Sequence, residues 1–157
     1  MKVYLSGAIE HAPDSGEAWR DDVSAFLKME LGHDCYNPLI EEKRYLTEEE
    51  RKKFRSLKST DLNGFKRIVR KLMRGDLKSL NNEIDYMICL WDSYAVKGGG
   101  TYGELTFAFY KDVPVYMVTK EDISKISAWV LGCTTNIFSN FEDLKKFLRE
   151  RYLPSSG

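Results

Sequence analysis

The sequence predicts an α/β domain in which helices cover both faces of a doubly wound, five-stranded parallel sheet. Two observations carry this prediction. Apolar segments of strand length alternate along the chain with longer segments whose apolar residues recur at helical spacing. The first forty residues also read as a βαβ unit, and such units build parallel sheets.

The first unit starts with an apolar strand at residues 2–6. A helix is expected over residues 16–31, and Gly32 ends it. Residues 34–37 form a short second strand, which Pro38 stops. The apolar side chains at helical spacing are Trp19, Val23, Phe26 and Leu27.

A helical insertion of about residues 41–74 then interrupts the alternation. Thr47 followed by three glutamates is typical of a helix N-terminus. Further along, an apolar stripe at helical spacing must pack against another part of the protein, and the opposite face is basic. The stripe consists of Phe65, Ile68, Val69, Leu72 and Met73.

The alternation resumes with a strand at 84–91, a helix at 101–111 and a strand at 113–118. A last short strand is expected between Val130 and Phe138. Residues 139–143 then cap a final helix that runs to about Tyr152. We expect one domain over residues 1–157, with a frayed tail from residue 153.

Charge argues against a dedicated nucleic-acid binder, because 24 basic residues balance 24 acidic ones. The distribution is uneven, since residues 43–74 hold twelve basic and four acidic side chains. This basic face is either a solvated surface, a lid over a substrate or a nucleic-acid contact. Nucleic acid is the least favoured of the three.

Cys35, Cys89 and Cys133 have neither metal-ligand spacing nor an even count. We therefore expect no metal site, no cofactor and a location in the reducing cytoplasm. The N-terminal apolar run is too short for a signal peptide, and no segment has the length of a membrane span. No membrane partner is expected.

The segment from Lys97 to Glu104 places three glycines and a threonine ahead of a glutamate, between a predicted strand and a predicted helix. Glycines let the backbone approach a ligand, and a helix N-terminus offers unpaired N–H groups to a phosphate or an oxyanion. Glu104 is expected in the first helical turn, facing that ligand. The segment fits neither G-x-G-x-x-G nor a Walker A loop. The alternative is a flexible turn with an acid that complements the helix dipole.

Ligands of a doubly wound sheet bind at the carboxyl ends of its strands. Three predicted loops open there: residues 6–11 after the first strand, Asn37 after the second, and Trp91, Asp92 and the glycines after the third. His11 is either a plain loop residue or part of this rim. We expect one site at this edge.

Together these motifs resemble the nucleoside 2-deoxyribosyltransferase family, including relatives that hydrolyse nucleoside 5′-monophosphates to a free base and a sugar phosphate. The resemblance runs through most of the chain and implies a flavodoxin-like sheet. It rests on Val3–Gly7, Trp19, Asn37-Pro38, Asp76 with Asp85, Gly100-Thr101-x-x-Glu104-x-x-x-Ala108 and Val113-Pro114-Val115.

The resemblance implies that Glu104 is the nucleophile and that Asp76 assists the departing base. The chemistry agrees, because a carboxylate can stabilise an oxocarbenium-like state or trap it as a glycosyl ester. A second carboxyl group with a raised pKa keeps the base from leaving as a bare anion. Asp85 is either a site residue or holds a loop.

Further residues are expected at the substrate. Tyr4 and Trp91 either stack on a base or pack in the core, and Asp92 could bind a ribose hydroxyl. A 5′-phosphate could be surrounded by Ser6, loop amides and cations, among them Lys66, Arg67 or Arg70. The expected substrate-binding residues are Tyr4, Ser6, Gly7, Ala8, Ile9, Arg20, Asn37, Trp91, Asp92, Lys97, Gly98, Gly100 and Thr101.

Ser127 and Trp129 match the region in which the family lends a residue to the neighbouring subunit, and Asn136 is a rival for that role. A homodimer or a higher homo-oligomer with shared sites is therefore expected.

We predict an N-glycosidase that acts on a nucleoside 5′-monophosphate or a nucleoside. Hydrolysis is favoured over base exchange, because Gly98 and Thr106 depart from the transferase pattern. The alternatives are a nucleoside 2-deoxyribosyltransferase, and a nucleotide-binding or nucleic-acid-binding module without catalysis. The loop of residues 98–104 also resembles that of phosphoribohydrolases that release cytokinin bases.

Overall fold

The computed structural model of the protein describes residues 1–153, and over that range it contains one sheet of five strands and seven α-helices. The strands are β1 (Lys2–Gly7), β2 (Asp34–Tyr36), β3 (Tyr86–Trp91), β4 (Val115–Thr119) and β5 (Asn136–Phe138). The helices are α1 (Glu17–Phe26), α2 (Pro38–Tyr45), α3 (Glu48–Thr60), α4 (Leu62–Asn82), α5 (Gly99–Tyr110), α6 (Ala128–Gly132) and α7 (Phe141–Tyr152). A frayed tail is expected from residue 153, and beyond Leu153 this tail lies outside the described residues.

The strand order is β2-β1-β3-β4-β5, and every neighbouring pair is parallel. This is the flavodoxin-like order of a doubly wound sheet. The predicted fold class is therefore confirmed. The strand order reverses at β1 and β3, so the loops after these two strands diverge and leave a crevice between them.

Side chains alternate across the sheet and build a core on each face. One core packs Val3, Leu5 and Ile88 against α1 and α7. The other packs Tyr4 and Met87 against α4, α5 and α6. Because Tyr4 and Ser6 are two residues apart on β1, both point to the second face.

The helical segment α2–α4 begins as the sequence predicts. Thr47 caps α3 in a reciprocal capping box with Glu50. Its end differs from the prediction, since α4 continues beyond residue 74 to Asn82. The last turns of α4 stay helical because Leu77 and Leu80 pack on the core beneath them.

Within residues 1–153, no helix has both the length and the apolar character that a bilayer crossing requires.

Candidate active site

A cavity of about 260 Å³ opens at the carboxyl edge of the sheet, in the crevice between β1 and β3. Its walls come from the loop after β1, the loop after β3, the start of α5 and the helical segment α2–α4. Both predicted catalytic carboxyl groups, Glu104 and Asp76, line it.

Glu104 projects from α5 onto β1. Its Oε1 accepts a hydrogen bond of 2.8 Å from the Tyr4 hydroxyl, and its Oε2 accepts one from the Ser6 hydroxyl. Burial raises the pKa of Glu104, while these two donors and the positive charge of Arg20 oppose the rise. The carboxyl group is therefore fixed in orientation by two residues of β1, at the wall of the cavity.

Asp76 lies on α4, where the Tyr36 hydroxyl donates a hydrogen bond of 2.8 Å to its Oδ1. Burial, followed by the negative charge of Glu104, raises the pKa of Asp76 to about 7, and the bond from Tyr36 acts in the opposite direction. Two hydroxyl donors and the charge of Arg20 thus favour the ionised form of Glu104, whereas Asp76 has one donor and the negative charge of Glu104 beside it.

Neighbouring residues hold this arrangement. The rings of Tyr4 and Tyr36 stack with centroids 5.0 Å apart, so the donors to Glu104 and Asp76 come from adjacent strands β1 and β2. The Tyr45 hydroxyl lies 3.4 Å from that of Tyr36. A side chain at Gly75 would approach the Tyr45 ring to 2.4 Å, so glycine is required there for Tyr45 to pack on α4.

The glycine-rich loop contributes backbone surface to the cavity. Gly98, Gly100 and Thr101 line it, as do Gly7, Ala8 and Ile9 from the loop after β1. Glu104 stands in the second turn of α5 rather than the first, and this prediction was wrong. The reason is that Gly99 and Gly100 are themselves helical, so α5 starts two residues earlier than the pattern indicates.

Three predicted contacts, and Asp85, whose role the sequence left open, have structural partners instead and do not line the cavity. Trp91 is buried in the core with its ring edge-on to Tyr102. Asn37 caps α2 through the Leu39 N–H. Asp92 accepts N–H bonds from the turn that follows it. Asp85 accepts a hydrogen bond from the Lys2 N–H at the start of β1. It therefore holds the chain in place, which is one of the two roles that the sequence left open.

Tyr4 and Ser6 also lie beneath the cavity rather than on its surface, because both are fully buried. Their role is to hold Glu104, so the base-stacking reading of Tyr4 is not supported.

The predicted phosphate cations are not at the cavity. Lys97 lies over the Tyr94 ring, and Lys66, Arg67 and Arg70 are exposed on α4. Arg20 is fully buried, and its guanidinium donates to backbone carbonyl groups around the loop after β1. The acceptors are the carbonyl oxygens of Leu5, Gly7, Ala8, Ser15 and Gly16.

Arg20→Met is expected to lower the free energy of unfolding by about 3 kcal/mol, because it leaves buried carbonyl groups without donors. Chemical denaturation measures this change. Lys97→Met is the matched control, since its exposed ammonium group should contribute less than about 0.5 kcal/mol. Equal stabilities of the two variants would contradict the structural role of Arg20.

Several cavity residues were missed by the sequence interpretation. Arg55 of α3 lies among the lining residues, as do Glu42 and Tyr94. Glu10 lines the cavity and forms an ion pair of 2.6 Å with Lys58 of α3, which connects the loop after β1 to the helical segment. His11 also lines the cavity, so it is part of the rim, which is one of the two positions that the sequence left open. The helical spacing of Phe54 and Leu57 on α3 was the available signal for Phe54, whereas no local pattern marks the exposed Arg55.

Ser127 and Trp129 lie at α6, outside the cavity. The Trp129 indole N–H donates to the Thr106 hydroxyl over 2.8 Å, and the ring is 66% exposed. Asn136 is exposed at the start of β5. A contribution of these residues to a neighbouring subunit's site stays a prediction.

Across residues 1–153, no group of three or more His, Cys, Asp or Glu side chains is arranged to hold a metal ion.

Neither a protein-family model nor a curated protein sequence matches the chain. Among solved structures, a 2-deoxyribosyltransferase from the psychrotolerant bacterium Bacillus psychrosaccharolyticus matches over 92% of this chain and 90% of its own, with 16% identity and a TM-score of 0.59. The CMP N-glycosidase BcmB of Clostridium botulinum matches over 96% of this chain and 99% of its own, with 16% identity and a TM-score of 0.58. The chain therefore has the fold that this transferase and this N-glycosidase share, as its sequence motifs predicted.

Proposed function

We propose that this protein is an N-glycosidase that cleaves the base–sugar bond of a nucleoside or a nucleoside 5′-monophosphate. One observation carries the proposal: Glu104 and Asp76 line one cavity in different environments, because Glu104 accepts two hydroxyl hydrogen bonds near Arg20, whereas Asp76 accepts one and has a pKa raised to about 7. A 2-deoxyribosyltransferase and a CMP N-glycosidase with the same fold support this reading.

In the first step, a Glu104 carboxylate oxygen attacks the anomeric carbon of the sugar. The C1′–N bond breaks, its electron pair goes to the base nitrogen, and the proton of Asp76 passes to the base. The products are a glycosyl ester on Glu104, an ionised Asp76 and a neutral base. The bonds from Tyr4 and Ser6 keep the attacking carboxyl group oriented.

In the second step, water replaces the base. The Asp76 carboxylate takes a proton from the water as its oxygen attacks the anomeric carbon, and Glu104 leaves as a carboxylate. Both residues return to their starting protonation states. Gly98 lines the cavity where many transferases carry an acid, which favours water over a second base as the acceptor.

A panel of ribo- and deoxyribonucleosides and their 5′-monophosphates, followed by chromatography for free base, tests the proposal. Base release from at least one compound is expected. The same assay with an added second base separates hydrolysis from transfer, because only a transferase forms the new nucleoside. A panel without any base release would refute the enzyme and favour a binding module.

If Asp76 is the general acid, kcat/KM falls at high pH as Asp76 loses its proton. Tyr36→Phe is expected to move this alkaline limb of the pH profile to higher pH. The lost hydrogen bond stabilises ionised Asp76, so its removal raises the pKa of Asp76 further above about 7 and keeps the general acid protonated over a wider range. Tyr45→Phe is the control, because the Tyr45 hydroxyl contacts Tyr36 and not Asp76. A limb that stays in place or moves to lower pH would contradict this role.

The homodimer is proposed from exposed aromatic side chains on α5 and α6, where Trp129 contacts Thr106, one turn before Phe109 and Tyr110. Phe109, Tyr110 and Trp129 are 62%, 78% and 66% exposed, and exposed apolar surface of this kind marks association sites. Sedimentation velocity should give twice the mass of the chain, and Trp129→Glu should give the monomer. A wild-type monomer at high micromolar concentration would exclude the dimer.

A further inference from the structure

The cavity has an apolar wall that the catalytic chemistry does not use. It consists of Phe65, Val69, Leu72 and Met73 of α4, with Phe54 of α3 beside them. We call these five residues the apolar wall.

The apolar wall lies on the same face of α4 as Asp76. Leu72 and Met73 precede Asp76 by four and three residues, so their side chains neighbour its carboxyl group. Val69 lies one turn further back, and Phe65 another turn beyond it. From Asp76 to Phe65 the helix rises about 16 Å, so the apolar surface continues well past the proton donor.

Packing of the helical segment accounts for only part of this surface. Leu46, Phe54 and Ile68 form its small buried core. Phe65, Val69 and Leu72 are only partly buried against that core, and Met73 is 52% exposed. Their remaining surface faces the cavity, where it is available to a ligand.

The direction of the substrate follows from the two carboxyl groups. Glu104 must reach the anomeric carbon and Asp76 must reach the base, so the leaving base lies on the side of α4. An unmodified base next to Asp76 contacts Leu72 and Met73. It does not reach Phe65 and Phe54, whose rings stack with centroids 6.3 Å apart and have Lys58 and Arg55 over them, respectively.

We propose that the apolar wall is a subsite for a leaving base that carries an apolar alkyl or aryl substituent, and that the enzyme prefers such modified bases to plain ones. This inference rests on the proposed function. The substituent extends from the base along α4 towards Phe65 and Phe54. Contact between the substituent and the apolar wall favours the modified substrate by about tenfold or more in kcat/KM.

The test compares glycosides of adenine with N6-benzyladenine and of cytosine with N4-benzylcytosine, each as nucleoside and 5′-monophosphate. The benzylated member of at least one pair is expected to have the higher kcat/KM, by about tenfold or more. Higher or equal values for both plain bases overturn the apolar subsite while leaving the N-glycosidase standing. Absence of base release from every compound overturns both.

Two variants of α4 locate the effect. Met73→Gln is expected to lower the preference for the benzylated base severalfold, because Met73 lines the cavity. Leu62→Gln is the matched control, since Leu62 is 53% exposed on the same helix, against 52% for Met73, but is outside the cavity. An unchanged preference in Met73→Gln, or equal losses in both variants, contradicts the assignment.

A binding measurement covers the case in which a variant folds poorly. Calorimetry with the wild-type protein should give a dissociation constant for N6-benzyladenine or N4-benzylcytosine about tenfold or more below that of the parent base. Equal affinities for the plain and benzylated bases would overturn the subsite without any variant.

Discussion

Glu104→Gln is expected to reduce base release about 10⁴-fold or more, because the variant cannot form a glycosyl ester. The amide keeps the shape of the side chain: its oxygen can accept from one of the Tyr4 and Ser6 hydroxyls, and its NH2 group can donate to the oxygen of the other. The fold should persist, since the change removes a carboxylate whose ionisation burial disfavours. Chromatography of the released base and a thermal melt measure the two effects.

Glu42→Gln is the matched control for that experiment, because Glu42 lines the same cavity on α2. Its loss of activity should stay within about tenfold, the scale of one weakened polar contact. Near-normal base release by Glu104→Gln would contradict its assignment as the nucleophile.

Asp76→Asn is expected to lower kcat/KM by about 10²–10⁴-fold, the usual contribution of a positioned general acid. An amide cannot give a proton to the departing base. The variant should also lose the fall in kcat/KM above about pH 7 that titration of Asp76 is expected to cause in the wild-type protein. A pH series of kcat/KM for both proteins measures this.

The same substitution should stabilise the protein at pH 8. The folded-state pKa of Asp76, about 7, lies above the ordinary aspartate value. The folded state therefore holds this proton after the unfolded chain has lost it, and wild-type stability falls as pH rises between the two pKa values. The amide of the variant carries no such titrating proton, so the stability gain should be larger at pH 8 than at pH 4.

Asp85→Asn is the control for the stability measurement, because Asp85 is exposed and holds the Lys2 N–H. Greater activity loss together with greater stability in Asp76→Asn would identify a residue retained for function rather than for folding. A loss of stability at pH 8 would contradict the raised pKa.

The fold could be predicted because its signals are local. Strand-length apolar runs, Gly32 in a left-handed conformation and the capping box at Thr47 each act within a few residues. The predicted bounds of the helices were less accurate where contacts distant in sequence decide them. An example is the end of α4, where Leu77 and Leu80 pack on the core.

The candidate site could be predicted only in part. Glu104 stands out in its glycine-rich loop, whereas Asp76 was found through resemblance to a family. Arg20 looks like a surface or phosphate cation in sequence, because no local pattern shows that a loop of backbone carbonyl groups will surround it. The apolar stripe on α4 was visible, but what it faced depends on how the helical segment folds over the cavity.

The stereochemistry of the product tests the covalent role of Glu104 most directly. With a β-nucleoside or β-nucleotide substrate in aqueous methanol, methanol competes with water for the glycosyl ester, and NMR identifies the methyl furanoside that forms. Two displacements at the anomeric carbon retain its configuration, so the methyl β-furanoside is expected. The methyl α-furanoside would mean direct attack by solvent, and would contradict a glycosyl ester on Glu104.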